Sequence, residues 1–255
     1  MTNRIRTFLL SGCAAAALAF APGAQAVNVG LELALLIDVS GSVSNSEYNL
    51  QMQGYQQAFN NPLVQTAIAN NPTGSIAVAV IQWSSSSSQQ LSISFTQITS
   101  ATAGAFGDQI GALARAFSGS TAPGSAINFA TPLFAANSFD APRQVIDVSG
   151  DGDQNSGADT SDARDAAVAA GIDTINGVTI GGGASLFNFY VNNIQAGPGS
   201  FVLAANSFAD FAGVIVDKLV REVSPPGIPV PAAAALFGAG LLGLALVART
   251  RRTAG

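Results

Sequence analysis

Three oxygen-bearing side chains follow a mostly apolar run near the start of the chain. Asp38, Ser40 and Ser42 alternate in the segment Asp-Val-Ser-Gly-Ser, directly after residues 31–37. A carboxylate and two hydroxyls on one tight turn offer hard oxygen ligands, which suit Mg²⁺, Mn²⁺ or Ca²⁺ better than zinc or copper. The same residue types are also common at turns and helix N-termini that bind no metal. The segment alone therefore leaves both interpretations open.

Two later segments also carry oxygen-bearing side chains. Thr121 begins the segment Thr-Ala-Pro-Gly-Ser-Ala-Ile, which opens an apolar stretch with helical spacing. Asp151 is followed by a glycine and comes shortly after the mostly apolar residues 145–148. In an open parallel sheet, ligands bind beyond the carboxyl ends of the strands, where the strand order reverses. Asp38 and Asp151 both follow predicted strands, so we expect them at such an edge.

The three segments, in this order, resemble the metal-ion-dependent adhesion site of the von Willebrand factor A-type domain. That site joins D-x-S-x-S, a distant Thr before x-x-G-x-A-[IL], and an Asp-Gly after a later strand. The resemblance implies that one divalent cation, Mg²⁺ or else Mn²⁺ or Ca²⁺, is surrounded by Asp38, Ser40, Ser42, Thr121 and Asp151. Ser125 is a weaker candidate than Thr121, because it lies one residue beyond the glycine of the pattern.

The resemblance covers about residues 29–222 and is similar in particular to a bacterial family of secreted von Willebrand A-like proteins of unknown function. Its supporting segments are residues 35–43, 53–55, 145–152, 170–172 and 175–177. It implies a doubly wound, Rossmann-like α/β fold with a mostly parallel sheet and helices on both faces. It also implies that a partner's acidic group completes the coordination of the cation.

A second oxygen-rich pattern overlaps Asp151. Residues 151–162 place oxygen-bearing side chains at positions 1, 3, 5, 9 and 12, as a calcium loop of the EF-hand kind does. The match is imperfect, because position 6 is Ser156 instead of Gly and position 12 is Asp162 instead of Glu. Asp, Asn and Gly also form ordinary turns.

The glycines at 181–183 do not form a phosphate-binding loop, because they lack the Lys and the Ser or Thr of that motif.

Composition excludes several classes of function. The chain has no His, which excludes His-based catalytic triads and His-ligated zinc. Its one cysteine, Cys13, lies in the predicted leader, so the mature domain has no thiol chemistry. Residues 27–224 contain five Arg or Lys and all fifteen Asp or Glu, a net charge of −10. Binding to nucleic acid needs clustered cations, so we expect no nucleic-acid partner.

The first 26 residues have the pattern of a secretory signal peptide. Arg4 and Arg6 precede an apolar run over residues 8–21, and Ala24-Gln-Ala26 is typical of a cleavage site. An alternative is a lipobox at Leu10-Ser-Gly-Cys13, which would make Cys13 a lipidated N-terminus. We rank it second, because the apolar stretch before Cys13 is very short.

The last 31 residues have three parts. Residues 225–231 are a stiff Pro-rich linker, residues 232–248 are apolar throughout, and Arg249, Arg251 and Arg252 follow. Seventeen apolar residues are at the lower limit for a transmembrane helix, and the arginines favour a cytoplasmic C-terminus. The tail resembles the Val-Pro-x-Pro-Ala variant of the Pro-Glu-Pro-type (PEP-CTERM) sorting signals, which exosortase-type enzymes process. A plain membrane anchor has the same physical properties.

Between these ends, apolar runs and helical patterns alternate, as in a doubly wound sheet. Predicted strands are 31–37, 75–83, 90–98 at an edge, 143–148, 172–180 and 201–204. The first predicted helix begins after a capping box at Ser44-x-x-Glu47. Further helices are predicted over 103–117, 125–137, 159–170 and 207–223. Tyr48, Met52, Tyr55 and Phe59 recur at helical spacing and indicate a core face.

These observations favour an exported, non-enzymatic binding module of the adhesion type. It would use a divalent cation to hold a protein or polysaccharide ligand at the cell surface or in the extracellular matrix. One alternative is a structural surface protein that the metal merely stabilises. Another is a metal-assisted hydrolase with Asp151 or Asp153 as base, which the lack of His and of any G-x-S-x-G segment disfavours.

Overall fold

Six strands form one sheet in the computed structural model, which describes residues 25–224. Along the chain the strands are β1 (Val27–Asn28), β2 (Glu32–Asp38), β3 (Ser75–Trp83), β4 (Gln89–Thr99), β5 (Phe139–Asp140), β6 (Gln144–Gly150), β7 (Thr174–Ile180) and β8 (Val202–Ala205). The helices are α1 (Asn45–Asn60), α2 (Pro62–Ala69), α3 (Ala103–Gly111), α4 (Pro123–Ala136), α5 (Thr160–Ala169), α6 (Gly183–Asn193) and α7 (Phe211–Val223). The sheet has the order β4-β3-β2-β6-β7-β8, and β1 pairs with β5 apart from it.

The sheet is mostly parallel and its order reverses at β2. Neighbouring strands are parallel except β3 and β4, which are antiparallel and place β4 at the edge. After β2 the chain adds β3 on one side, and later it adds β6 on the other. The carboxyl ends of β2 and β6 therefore lie side by side at the reversal point. This is the predicted doubly wound α/β fold, and its edge strand is also the predicted one.

Alternate side chains of β2 enter two separate apolar cores. Leu33, Leu35 and Ile37 pack with α1, α2, α3 and α7 on one face of the sheet. Ala34 and Leu36 pack with α4, α5 and α6 on the other face. Because successive side chains of a strand point to opposite faces, a strand covered on both faces has a near-continuous apolar sequence. The structure confirms helices on both faces.

Helix α1 begins and packs as the sequence predicts. The backbone N–H of Ser44 donates to Glu47 Oε2 at 2.8 Å, and the N–H of Glu47 donates to Ser44 Oγ at 3.3 Å. This reciprocal capping box satisfies two N–H groups that the first helical turn leaves unpaired. The stripe of Tyr48, Met52, Tyr55 and Phe59 is buried, which confirms that it belongs to the core.

The predicted helix over residues 103–117 is wrong in its second half, because α3 ends at Gly111. The side-chain amide of Gln82, on β3, pairs with the backbone that follows. Its Nε2 donates to Ala114 O at 3.0 Å, and its Oε1 accepts from Ala116 N–H at 3.0 Å. These bonds hold the segment extended against the sheet. Two helices, α2 and α6, were not predicted, and α7 begins four residues later than expected, at Phe211.

A charged cluster is buried beneath α7. Lys218 Nζ lies 2.5 Å from Asp147 Oδ1 on β6 and also contacts Glu222 Oε1, one helical turn away. Asn176 Nδ2, on β7, donates to Glu222 Oε1 at 2.9 Å. All three charged side chains are almost completely inaccessible to solvent. We refer to Asp147, Lys218 and Glu222 as the buried charge cluster.

The described chain ends at the edge of the sheet opposite to the carboxyl ends of β2 and β6. The guanidinium of Arg143, which directly precedes β6, donates to Ser224 O at 3.3 Å and to Glu222 O at 3.0 Å. Asn71 Nδ2 donates to Val223 O at 2.8 Å. A strand such as β2, from Glu32 to Asp38, is about 20 Å long. Ser224 therefore lies about that far from the end of β2.

Residues 25–224 contain no helix that is long and apolar enough to cross a membrane. The predicted Pro-rich linker at 225–231 and sorting segment at 232–255 lie outside the described residues, as do residues 1–24 of the signal peptide predicted at 1–26. The domain predicted at 27–224 stays a prediction in its bounds.

Candidate metal site

The structure brings the five predicted ligands together at the carboxyl edge of the sheet. Asp38 is the last residue of β2, and the two serines follow it in the turn before α1. Thr121 precedes α4, and Asp151 follows β6 directly. The hydroxyls form a chain in which Ser40 Oγ lies 3.0 Å from Ser42 Oγ and 3.4 Å from Thr121 Oγ1. Ser42 Oγ donates to Asp151 Oδ1 at 2.6 Å.

Asp38 is the most constrained of these side chains. Its Oδ1 accepts from the backbone N–H of Ser40 at 2.8 Å, which fixes the turn. Its Oδ2 is buried and has no hydrogen-bond partner among the described residues. Burial raises the pKa of Asp38 to about 7, with the carboxylate of Asp151 adding to this and the bonds from Ser40 opposing it. A buried carboxylate oxygen without a partner is costly, and a cation is one group that could satisfy it.

Asp151 is partly exposed and differs from Asp38 in its surroundings. Partial burial raises its pKa, the hydroxyl of Ser42 lowers it, and the carboxylate of Glu47 raises it again. The cluster thus contains two carboxylates, one buried and one facing solvent, with three hydroxyls between them. Such an arrangement suits a hard dication, because two negative charges balance it and hydroxyl oxygens add neutral ligands.

Two residues outside the predicted ligand set hold the backbone of the cluster in place. Arg115 Nη2 donates to Val39 O at 2.9 Å and to Ser40 O at 2.6 Å. Asn155 pairs with Thr121, because its Oδ1 accepts from Thr121 N–H at 2.8 Å and its own N–H donates to Thr121 O at 3.0 Å. Arg115 is the only basic residue between Arg6 and Arg143, a signal that could have been noticed. Asn155 gave no signal beyond its place in an Asp-rich and Gly-rich segment.

Ser125 lies apart from the hydroxyl chain. Its Oγ accepts from the backbone N–H of Ala158 at 3.1 Å and so orders the loop before α5. Thr121, in contrast, contacts Ser40.

We expect Thr121→Ala to weaken Mg²⁺ binding by about ten-fold or more, because it removes a hydroxyl of the cluster. Ser125→Ala should leave the affinity unchanged and lower the melting temperature slightly, because it removes only a loop contact. Isothermal titration calorimetry of both variants checks this. The opposite ranking would show that the third ligand was misassigned.

The calcium loop predicted as an alternative over residues 151–162 does not form in the structure. Asp159 caps α5 by accepting from the N–H of Asp162 at 3.0 Å, and Asn155 is paired with Thr121. Within residues 25–224, no group of three or more His, Cys, Asp or Glu side chains could hold a metal ion. The cluster described above contains only two carboxylates, so its remaining ligands must be hydroxyls.

A scan of protein families matches residues 28–227 to a family described as protein of unknown function DUF1194. The match covers more than half of the chain. The chain belongs to the DUF1194 family. A search of curated proteins finds no match.

Solved structures with the same fold include three that bear on the site. Proximal thread matrix protein 1 from the mussel byssus, with a zinc-occupied MIDAS motif, has a TM-score of 0.57 and 18% identity over 77% of this chain and 48% of its own. A von Willebrand factor type A structure from Catenulispora acidiphila has a TM-score of 0.54 and 16% identity over 77% and 43%. The pilus adhesin SpaC from Lactobacillus rhamnosus GG has a TM-score of 0.52 and 12% identity over 78% and 31%.

These likenesses establish a von Willebrand A-like fold for the DUF1194 chain. The chain spans about half or less of the length of each of these structures. The prediction of fold and of a von Willebrand A-type resemblance is confirmed. The assignment of five individual ligands stays a prediction, which the convergence of their side chains supports.

Proposed function

We propose that this protein is an exported binding module of the adhesion type that holds an acidic group of a protein or polysaccharide through a divalent cation. The observation that carries the proposal is the cluster itself, where the unpartnered Oδ2 of Asp38 lies beside converging hydroxyls at the reversal point of the sheet. Asp38, Ser40, Ser42, Thr121 and Asp151 would hold Mg²⁺, with Mn²⁺ or Ca²⁺ as alternatives. The bound cation would supply a positive charge that accepts a partner's carboxylate as a ligand.

Because the domain is acidic, we expect it to bind an acidic partner only when the cation is present. Residues 27–224 have a net charge of −10, and the carboxylate of Glu47 also acts on Asp151. Without a counter-charge, such an edge repels acidic groups. We therefore expect the affinity for an acidic partner to depend almost wholly on the cation. Two contacts would fix the position of the bound cation. Arg115 holds the turn after β2, and Asn155 holds the backbone of Thr121.

Among similar folds, the zinc-occupied MIDAS motif of the byssus matrix protein and the pilus adhesin favour this interpretation over an enzyme. The absence of His and Cys from residues 25–224 leaves few general bases or nucleophiles, and we propose no catalytic residue. A structural matrix role is the second candidate, because a byssus matrix protein has the same fold. In that case the cation would stabilise the domain without binding a partner.

A pull-down from envelope and matrix fractions tests the proposed function. The purified chain is immobilised and incubated with these fractions in Mg²⁺ or in EDTA. Captured material that EDTA releases and that Asp38→Asn fails to retain supports a binding module. Identical capture in both conditions, together with a lower melting temperature in EDTA, would favour the structural role instead.

The position of Ser224, the last residue that the structure describes, favours a domain whose metal cluster points away from its attachment. Ser224 lies at the edge of the sheet opposite to the metal cluster, so a tail beginning at residue 225 would leave the cluster facing away from its attachment. We propose that the tail is a sorting signal that an exosortase-type enzyme processes.

On this proposal, replacing both Pro229 and Pro231 with Ala should trap the full-length chain in the inner membrane, because the processing enzyme no longer recognises the tail. Wild type should be shorter and should leave that membrane. Immunoblotting of fractionated cells distinguishes the two forms. If wild type also stays full length in the inner membrane, the tail is a plain anchor and the domain faces the periplasm.

A further inference from the structure

Tyr190, on α6, lies near the metal cluster at the carboxyl edge of the sheet, and the sequence analysis did not identify it. Its side chain is completely buried. Its hydroxyl has no hydrogen-bond partner among the described residues. A phenylalanine would fill the same space without burying a hydroxyl, and burying a hydroxyl without a partner costs stability. Packing alone therefore does not explain why this position has a tyrosine instead of a phenylalanine.

Two glycines make room for the Tyr190 ring on the sheet. A Cβ at Gly177, on β7, would lie 2.6 Å from Tyr190 Cδ1, and a Cβ at Gly150, on β6, would lie 2.6 Å from the hydroxyl. Gly177 pairs with Val148, so the two glycines occupy diagonal positions on the same face of the sheet. Any larger residue at either position would displace the ring. The space that these two glycines leave places the hydroxyl near the carboxyl edge of the sheet.

The hydroxyl points to the free oxygen of Asp38. The Cβ position at Gly150 that lies 2.6 Å from Tyr190 Oη also lies 2.7 Å from Asp38 Oδ2. Both oxygens are buried and without partners, and both lie within 2.7 Å of that one position, so they are near neighbours in the core. A tyrosine hydroxyl can donate and a carboxylate can only accept, so the two groups are complementary.

The charge state of Tyr190 fits a donor. A tyrosine hydroxyl has an ordinary pKa of about 10 and so is neutral at physiological pH. It can donate to a carboxylate without adding a negative charge to the site.

We propose that Tyr190 is a positioning residue of the cation site, whose hydroxyl donates through one water molecule to Asp38 Oδ2 and holds this carboxylate in its ligating orientation. The proposal rests on the proposed function, since it assumes that Asp38 binds a cation. Groups that orient a metal ligand commonly change the metal affinity by about 10-fold to 100-fold.

The test compares Tyr190→Phe with wild type, using the purified full-length chain in detergent and Mg²⁺ alone as the probe. We expect Tyr190→Phe to bind Mg²⁺ about ten-fold or more weakly by calorimetry. Its melting temperature in EDTA should equal or exceed that of wild type, because the variant no longer buries an unpaired hydroxyl. If Tyr190 had only a packing role, Tyr190→Phe would not weaken Mg²⁺ binding while keeping or raising the melting temperature.

Tyr48→Phe is the matched control. The hydroxyl of Tyr48 donates to Leu113 O at 2.8 Å, so its removal should lower the melting temperature and leave the Mg²⁺ affinity unchanged. Equal affinities for wild type and Tyr190→Phe would overturn the proposal while leaving the cation site intact. No Mg²⁺ binding by wild type would overturn both the cation site and the role of Tyr190.

Discussion

Asp38→Asn should abolish measurable Mg²⁺ binding and at the same time stabilise the metal-free protein. The substitution removes one of only two carboxylates in the cluster, and the one that is wholly buried. A neutral amide cannot balance a dication, so we expect the affinity to fall by at least about 100-fold. Calorimetry with Mg²⁺ measures this loss directly.

The gain in stability without metal follows from the same burial. The folded chain raises the pKa of Asp38 from 3.8 to about 7, so folding disfavours its ionised form. The contribution of this group to stability is complete below about pH 4 and is lost as the pH rises through about 7. Removing the ionisable group abolishes this decline, and the gain at pH 8 in EDTA should be on the order of 4 kcal/mol. Urea unfolding in EDTA at pH 5 and pH 8 measures it.

Asp153→Asn is the matched control, because it makes the same change of charge at an exposed position in the loop after β6, two residues from Asp151. It should alter neither the Mg²⁺ affinity nor the stability by much. Unchanged stoichiometry and affinity in Asp38→Asn would contradict the assignment of the site. A loss of affinity with a parallel loss of stability in EDTA would show instead that Asp38 supports the fold.

Much of this site could be predicted because its main parts are contiguous in sequence. The D-x-S-x-S segment lies on one turn, and an apolar run directly before it marks a central strand with little ambiguity. The bond from Ser40 N–H to Asp38 Oδ1 is a local consequence of that order. Thr121 came from the family pattern alone, whereas Asp151 was also expected at this edge because it follows a predicted strand.

The parts that were missed depend on contacts between distant segments. The helical spacing of residues 103–117 continues past Gly111, but the amide of Gln82 holds the backbone of Ala114 and Ala116 in an extended form. Tyr190 reaches the site only because glycines on two neighbouring strands leave room for its ring. No local pattern encodes either arrangement, since each depends on strand register.

The buried charge cluster is a further case of this kind. Asp147 and Lys218 are 71 positions apart in the chain, and each interrupts an apolar pattern. A charged residue in such a pattern usually has a buried partner, but the sequence does not say which one. In the structure, two carboxylates share one ammonium group with no access to solvent.

This cluster should make the stability of the protein depend on pH. The pKa of Glu222 is raised from 4.5 to about 7, because burial and the neighbouring Asp147 carboxylate outweigh the opposing effect of Lys218. Burial likewise raises the pKa of Asp147. The folded chain therefore binds a proton more tightly at Glu222 than the unfolded chain does. The stability from this group is complete below about pH 4.5 and is lost as the pH rises through about 7.

Lys218→Met should destabilise the protein strongly at pH 8 and much less at pH 5. It leaves two ionised carboxylates buried without a counter-charge, a change that typically costs about 3–5 kcal/mol. At pH 5 both carboxyls can bind protons in the folded chain, so most of this cost disappears. Urea unfolding in EDTA at both pH values measures the difference without interference from cation binding.

Asp165→Asn provides the comparison for an exposed ion pair. Its carboxylate lies 2.7 Å from Arg164 Nε with the Asp165 side chain 69% exposed, so breaking the pair should change the stability little at either pH. A loss in Lys218→Met of equal size at pH 5 and pH 8 would attribute the effect to the packing of the lysine's methylenes. A loss confined to pH 8 would identify Lys218 as the counter-ion that lets β6 and α7 bury two carboxylates in one apolar core.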